Sequence, residues 1–212
     1  MMAKKKKKSK GIMKRTNIPY AQRLQIQQIS AIKAVRDYSA KVTMFCHSIA
    51  LHELHGIGYK RLVRFSLAFK GLIDEFYDNI EVSLDRCRRR LSSHGIEIPE
   101  EIPVVTVPEL NHRDQQQYDH AIQASYIAHL VGLIAVNETF GFGKEKLESM
   151  SVRAAELTDR YNKEGDKFLF EEMQRIGFPV IDGHVVAFVD DDNNPITHKK
   201  WMEANNETDI LV

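Results

Sequence analysis

The feature that most constrains this chain is a match with itself at an offset of 85 residues. Ile49 to Leu62 falls on Ile134 to Leu147 in the shared pattern I-A-x-x-E-x-x-G-(I/F)-G-x-x-(R/K)-L, and further on Asp74 meets Asp159, Phe76 meets Tyr161 and Leu84 meets Leu169. A match of that density predicts two copies of one supersecondary unit that bury their apolar faces together. At the centre of each copy stand Gly56-Ile57-Gly58 and Gly141-Phe142-Gly143. Two glycines around an apolar residue let the chain leave a helix through positive-φ backbone, at Gly56 or Gly58 and at Gly141 or Gly143, while the apolar residue plugs the angle between two helices.

The flanks of both motifs read as helix. From Pro19, well placed in a first turn, Leu24, Ile29, Ile32, Val35, Val42, Phe45 and Ile49 recur at helical spacing as far as His55. Beyond the glycines, Tyr59 to Phe69 restarts the helix, and a further stretch from Leu72 to Leu91 ends at Ser92-Ser93-His94-Gly95. Residues 96–110 hold three of the six prolines and read as an extended connector. Helix returns from Asn111 to Phe140, from Lys144 to Tyr161 and from Asp166 to Ile176. The segment Val180 to Val189 places Asp182-Gly183 between β-branched residues, a strong hairpin signal, and Asp192 to Pro195 offers a second turn for a hairpin or three-stranded meander. The expected organisation is a disordered basic arm at 1–16, helical repeats at 17–95 and 111–177 joined by the connector at 96–110, and a hairpin and tail at 178–212. The fold class is mainly α: two helix–Gly-x-Gly–helix units with a small C-terminal β-hairpin.

With 43% hydrophobic residues the chain can bury a core. Its longest apolar run, Ile127 to Val136, is interrupted by His129 and Gly132 and falls short of the roughly 18 residues a membrane helix needs. The lysines of the first segment are not followed by the apolar core of a signal peptide, and Cys46 and Cys87 offer no disulfide framework. A soluble, cytoplasmic protein without membrane contact is the expectation. Its net charge of +1 hides a division: residues 1–100 hold 20 Lys and Arg against 9 Asp and Glu, residues 101–212 hold 10 against 20. Such a split favours nucleic acid or an acidic partner for the basic half, or attraction between the halves.

Catalytic motifs are not legible. His52-Glu53-Leu54-His55 spaces its histidines by three where a zinc protease needs four. With His47 it forms a histidine patch, yet Asn137 and Phe140 replace His52 and His55 in the second copy. Glu53 and Glu138, common to both copies, are expected to bond near the turn or to pair with a base. Asp190, Asp192 and Asn194 open like a calcium loop, but Pro195 stands where glycine is needed. Asp182, Asp190 and Lys199 match a nuclease only weakly. The reading is therefore a non-enzyme with no cofactor and no metal. Arg86, Arg88, Arg89 and Arg90 end a helix, where cations favour the dipole and also form a candidate phosphate-contact patch.

The Gly-hydrophobic-Gly loops resemble the helix-hairpin-helix motif over about 15 residues in each copy. That resemblance implies backbone N–H groups of Gly56, Gly58, Gly141 and Gly143 facing a nucleic-acid phosphate, with Lys60 and Arg61 or Lys144 and Lys146 beside them; Arg64 is a further binding candidate from the basic half. Asn137 to Leu147, followed by Asp159 to Gly165, also looks like small helical proteins encoded by phages and prophages of Gram-positive bacteria. This second resemblance implies a mobile-element origin and a modulator of a host machine. The expected function is a non-catalytic interaction protein engaging a host nucleic-acid-handling complex, such as an inhibitor of CRISPR-Cas or another nucleic-acid-targeting defence. A plain DNA-binding accessory protein and a metal-dependent nuclease are the alternatives.

Overall fold

The computed structural model describes residues 20–76, 80–98 and 111–204. The basic arm and most of the proline-rich connector lie outside them. The described residues form α1 (Tyr20–His55), α2 (Tyr59–Phe76), α3 (Ile80–Ser92), α4 (His112–Phe140), α5 (Lys144–Glu164), α6 (Asp166–Arg175), β1 (Val180–Ile181), β2 (His184–Val185) and α7 (His198–Ala204). The fold is mainly helical, with a two-stranded antiparallel sheet near the C-terminal end of the described chain.

Helices α1–α3 and α4–α6 are two copies of one three-helix unit, and the copies interleave. The most extensive contact joins the two long helices, α1 and α4. After it come α5 on α1 and α2 on α4, then α3 on α4 and α6 on α1. Each long helix is thus covered chiefly by the short helices of the other copy, in an approximate two-fold arrangement. Equivalent positions are buried alike: Ile49 and Ile134, Ala50 and Ala135, Leu51 and Val136, Leu62 and Leu147, Phe65 and Met150. Truncating one of these large side chains would cost about 2–5 kcal/mol.

The offset of 85 holds through α2 and α5 but not to the end of the unit. The Ile96 N–H donates to the Leu91 carbonyl as the Phe178 N–H donates to the Met173 carbonyl, an offset of 82, so Leu84 is not the counterpart of Leu169. Ile96 and Phe178 are core residues that close α3 and α6. Two boundaries also differ from the sequence reading. Helix α2 runs unbroken through Gly71, which sits on its exposed side, as far as Phe76, and α3 is described from Ile80. The hairpin turns at Asp182 (φ 50°) and Gly183 (φ 75°) but pairs only Val180 with Val185 and Ile181 with His184. The second turn gives an isolated Val189–Pro195 bridge rather than a third strand, and α7 follows it.

The long helices run in the same direction and touch along equivalent residues. His47 on α1 is fully buried against Gly132 on α4, its counterpart at offset 85. A Cβ on Gly132 would stand 2.7 Å from His47 Nε2. The His47 Nδ1–H donates to the Thr43 carbonyl at 2.9 Å, and Nε2 has no partner. The His129 ring lies 5.0 Å away, with its Nε2 2.8 Å from Ser151 Oγ. Burial, and then the neighbouring His129, push the His47 pKa down to about 3; burial alone brings His129 down to about 4.

Both imidazoles are neutral in the fold, whereas an unfolded histidine titrates near 6.5, so below that pH the unfolded chain binds protons first. Stability is full above about pH 6.5 and declines as the pH falls through the window down to the two folded values. Denaturant melts at pH 7 and pH 5 should differ by about 2 kcal/mol per histidine, and His47→Gln should remove roughly half of that difference. Equal stability at the two pH values would contradict the assignment.

Candidate paired-loop site

Since α1 and α4 are parallel, both Gly-x-Gly loops arrive at the same end of the molecule. There the His55 ring meets the Phe142 ring edge-on at 4.6 Å, and Phe140 lies 5.6 Å from Phe142. The turns are built alike. Gly56 (φ 62°) and Gly141 (φ 67°) take the left-handed conformation that ends α1 and α4. Ile57 and Phe142 then plug into the core at 3% and 7% exposure. Their carbonyls are held from the preceding helix: His52 Nδ1–H donates to Ile57 O at 3.1 Å, and Asn137 Nδ2–H donates to Phe142 O at 2.9 Å. His52 and Asn137 are equivalent positions doing one job, which explains why histidine and asparagine exchange there.

The second glycine of each pair behaves differently. Gly58 and Gly143 are not at positive φ, and Gly143 sits at φ −81°, ψ −177°. Both act as helix N-caps, accepting from the Leu62 and Leu147 N–H groups at 3.1 Å. A Cβ at any of the four glycines would meet nothing within 4 Å. At Gly58 and Gly143, then, neither backbone conformation nor internal packing requires glycine, and serine would make the better cap. The glycines leave the outer side of both loops bare.

Cations surround this end. The Arg61 guanidinium on α2 lies over the Phe140 ring at 5.0 Å, so it reaches from one copy to the other, and its counterpart Lys146 places its ammonium 4.9 Å from the Phe142 ring centre. Burial, then the charge of Lys146, lower the His55 pKa. Lys60 and Arg64 are exposed on α2, and Lys144 pairs with Glu148 at 3.8 Å. The Arg86–Arg90 cluster is engaged elsewhere: Arg86 with Glu75, Arg88 with Asp85, Arg89 with the Asp85 carbonyl, and Arg90 with Glu138. Only Arg90 approaches the loops. The shared glutamates pair with a base in each copy. Arg90 in the last turn of α3 holds Glu138, while Arg175 in the last turn of α6 and Arg153 on α5 each hold an oxygen of Glu53 at 2.9 Å. The clamp on Glu53 and the aromatic seats under Arg61 and Lys146 are not apparent in the linear sequence; the shared glutamates are its one trace there.

The histidine patch does not converge. His47 is in the core, His52 caps Ile57 and His55 meets Phe142 edge-on. Among the described residues no three His, Cys, Asp or Glu side chains are grouped to hold a metal ion. Asp190 Oδ1 accepts the Asp192 and Asn194 N–H groups, so its carboxylate shapes the turn. Cys46 and Cys87 are buried, with burial raising their thiols to about 11 and 12. What this end can do chemically is present cations and open backbone.

One substitution made at two places separates these roles. Gly56→Ser and Gly141→Ser should each lower unfolding free energy by about 1–2 kcal/mol, the cost of a side chain in left-handed backbone. Gly58→Ser and Gly143→Ser should leave it within about 0.5 kcal/mol of the starting value or raise it. Urea titrations measure both, and equal losses at all four positions would show that internal structure requires every glycine.

No family model, curated protein or solved structure matches the chain.

Proposed function

We propose that the chain is a non-catalytic binding protein whose paired-loop end engages the phosphate backbone of nucleic acid held within a host nucleic-acid-handling complex. One observation carries the reading. Gly58 and Gly143 keep the outside of two neighbouring loops bare with no internal cause for glycine, and bare backbone is what lets a phosphate approach closely. Arg61 and Lys146, seated on aromatic rings, and exposed Lys60 and Arg64 supply charge of the required sign at the same end. The likeness to phage-encoded helical proteins extends the proposal to inhibition of a nucleic-acid-targeting defence, CRISPR-Cas among them. Two loops at one end also suit the second reading, a DNA-binding accessory protein acting on free duplex.

Binding to labelled duplex, to single strands and to host complexes with and without nuclease treatment tests this. Affinity should fall steeply with salt, and each alanine at Lys60, Arg61, Arg64 or Lys146 should flatten the slope of log K against log salt by about 1. Gly58→Ser and Gly143→Ser should weaken binding while leaving stability intact. Losses should be graded, and inhibition stoichiometric and insensitive to chelator. Capture of complexes but not free duplex favours the inhibitor reading, and tight binding to free duplex the accessory protein. Serine variants that bind like the parent, or many targets turned over per molecule, would overturn the proposal.

A further inference from the structure

The duplication leaves two equivalent helices, α2 and α5, with outward rows of opposite charge. On α2 the row runs Lys60, Arg64, Leu67 and Lys70. On α5 it runs Glu145, Glu148, Val152 and Glu156. The apolar centres occupy the same place at offset 85, and both are bare: Leu67 is 38% exposed and Val152 62%. Val152 also stands between two grooves. One, of about 410 Å³, is walled by Leu54 and rimmed by Glu148, Glu156 and Arg153; the other, of about 390 Å³, reaches Ile96 and Leu133 and is rimmed by Glu97, Glu148 and Lys144.

From this we infer that a second copy of the chain is the partner of this face, with the α2 row of one molecule docking on the α5 row of the next. Leu67 enters the groove beside Val152 as a ridge enters a groove between packed helices, while Lys60, Arg64 and Lys70 face Glu145, Glu148 and Glu156. The local pairs Lys144–Glu148 (3.8 Å) and Arg153–Glu156 (2.7 Å) are surface contacts between adjacent turns; such pairs are worth little and exchange readily for an intermolecular cation. Because α2 and α5 are different surfaces, the contact is heterologous: every molecule keeps one free face of each kind, and assembly continues into chains or closes into a ring. The inference goes beyond the paired-loop function and rests on separate observations, but Lys60 and Arg64 serve both, so a molecule docked through its α2 row keeps only Arg61 and Lys146 of the four cations for a phosphate.

Sedimentation velocity of nuclease-treated full-length protein tests it. At low ionic strength the mass should rise with concentration past twice that of the monomer, and high salt should reverse this. Leu67→Glu with Lys70→Glu, and separately Val152→Lys with Glu148→Lys, should each give a monomer of unchanged helicity. Mixed together, the two variants still hold one intact face of each kind and should form a dimer that grows no further. A parent protein that stays monomeric, association lost on nuclease treatment, variants that assemble like the parent, or a mixture that stays monomeric would each overturn the inference.

Discussion

Everything in this structure depends on the crossing of α1 and α4, where a histidine on one helix lies against a glycine on the other. The absence of a Cβ at Gly132 lets the helices approach closely enough for His47 to be buried outright. Packed this way in parallel, α1 and α4 end together at Gly56 and Gly141, so the two Gly-x-Gly loops arrive side by side with His55 on Phe142. The arginines of α3 and α6 tie the same end together from outside, each to the glutamate of the opposite copy. The loops are positioned by a crossing two helical turns away from them.

The crossing also records how the copies have parted. In two identical units related by a two-fold axis, equivalent residues meeting on the axis would be alike, either two rings in one space or two glycines around a void. Here one copy supplies bulk and the other room. Such a large–small pair fills the interior at normal density, and it requires both units to be in one chain or otherwise distinguishable. His52 and Asn137 show a milder divergence, since two different side chains reach the same carbonyl.

Much of this was readable from residues alone because the forces involved are local or periodic. The repeat, both glycine turns and helices α1, α4, α5 and α6 follow from apolar spacing and from glycine at a helix end. Gly71 looks like a stop in the sequence, but on the exposed side of a helix that packs well its cost of about 1 kcal/mol is absorbed and α2 runs on to Phe76. Of the hairpin and the three-stranded meander that the turn signals allow, the hairpin forms; turn chemistry says nothing of whether a third strand has a neighbour to pair with. The interleaving could not be seen at all, as nothing in an amphipathic helix says which copy will cover it. Of the site, the glycines and nearby cations were visible in sequence. That Arg86, Arg88 and Arg89 face local partners while Arg61 crosses to Phe140 is a matter of packing alone.

Interleaving has a consequence for synthesis on the ribosome. The apolar face of α1, with Phe45, Cys46 and Ile49, receives most of its cover from α4 and α5, which lie a full repeat later in the chain. At translation rates of about 5–20 residues per second, that face waits on the order of ten seconds for its cover. During the wait the apolar side of the first copy lacks its cover and is open to chaperones and to other nascent copies of itself. The core around α1 can close only once the second copy has emerged to cover it.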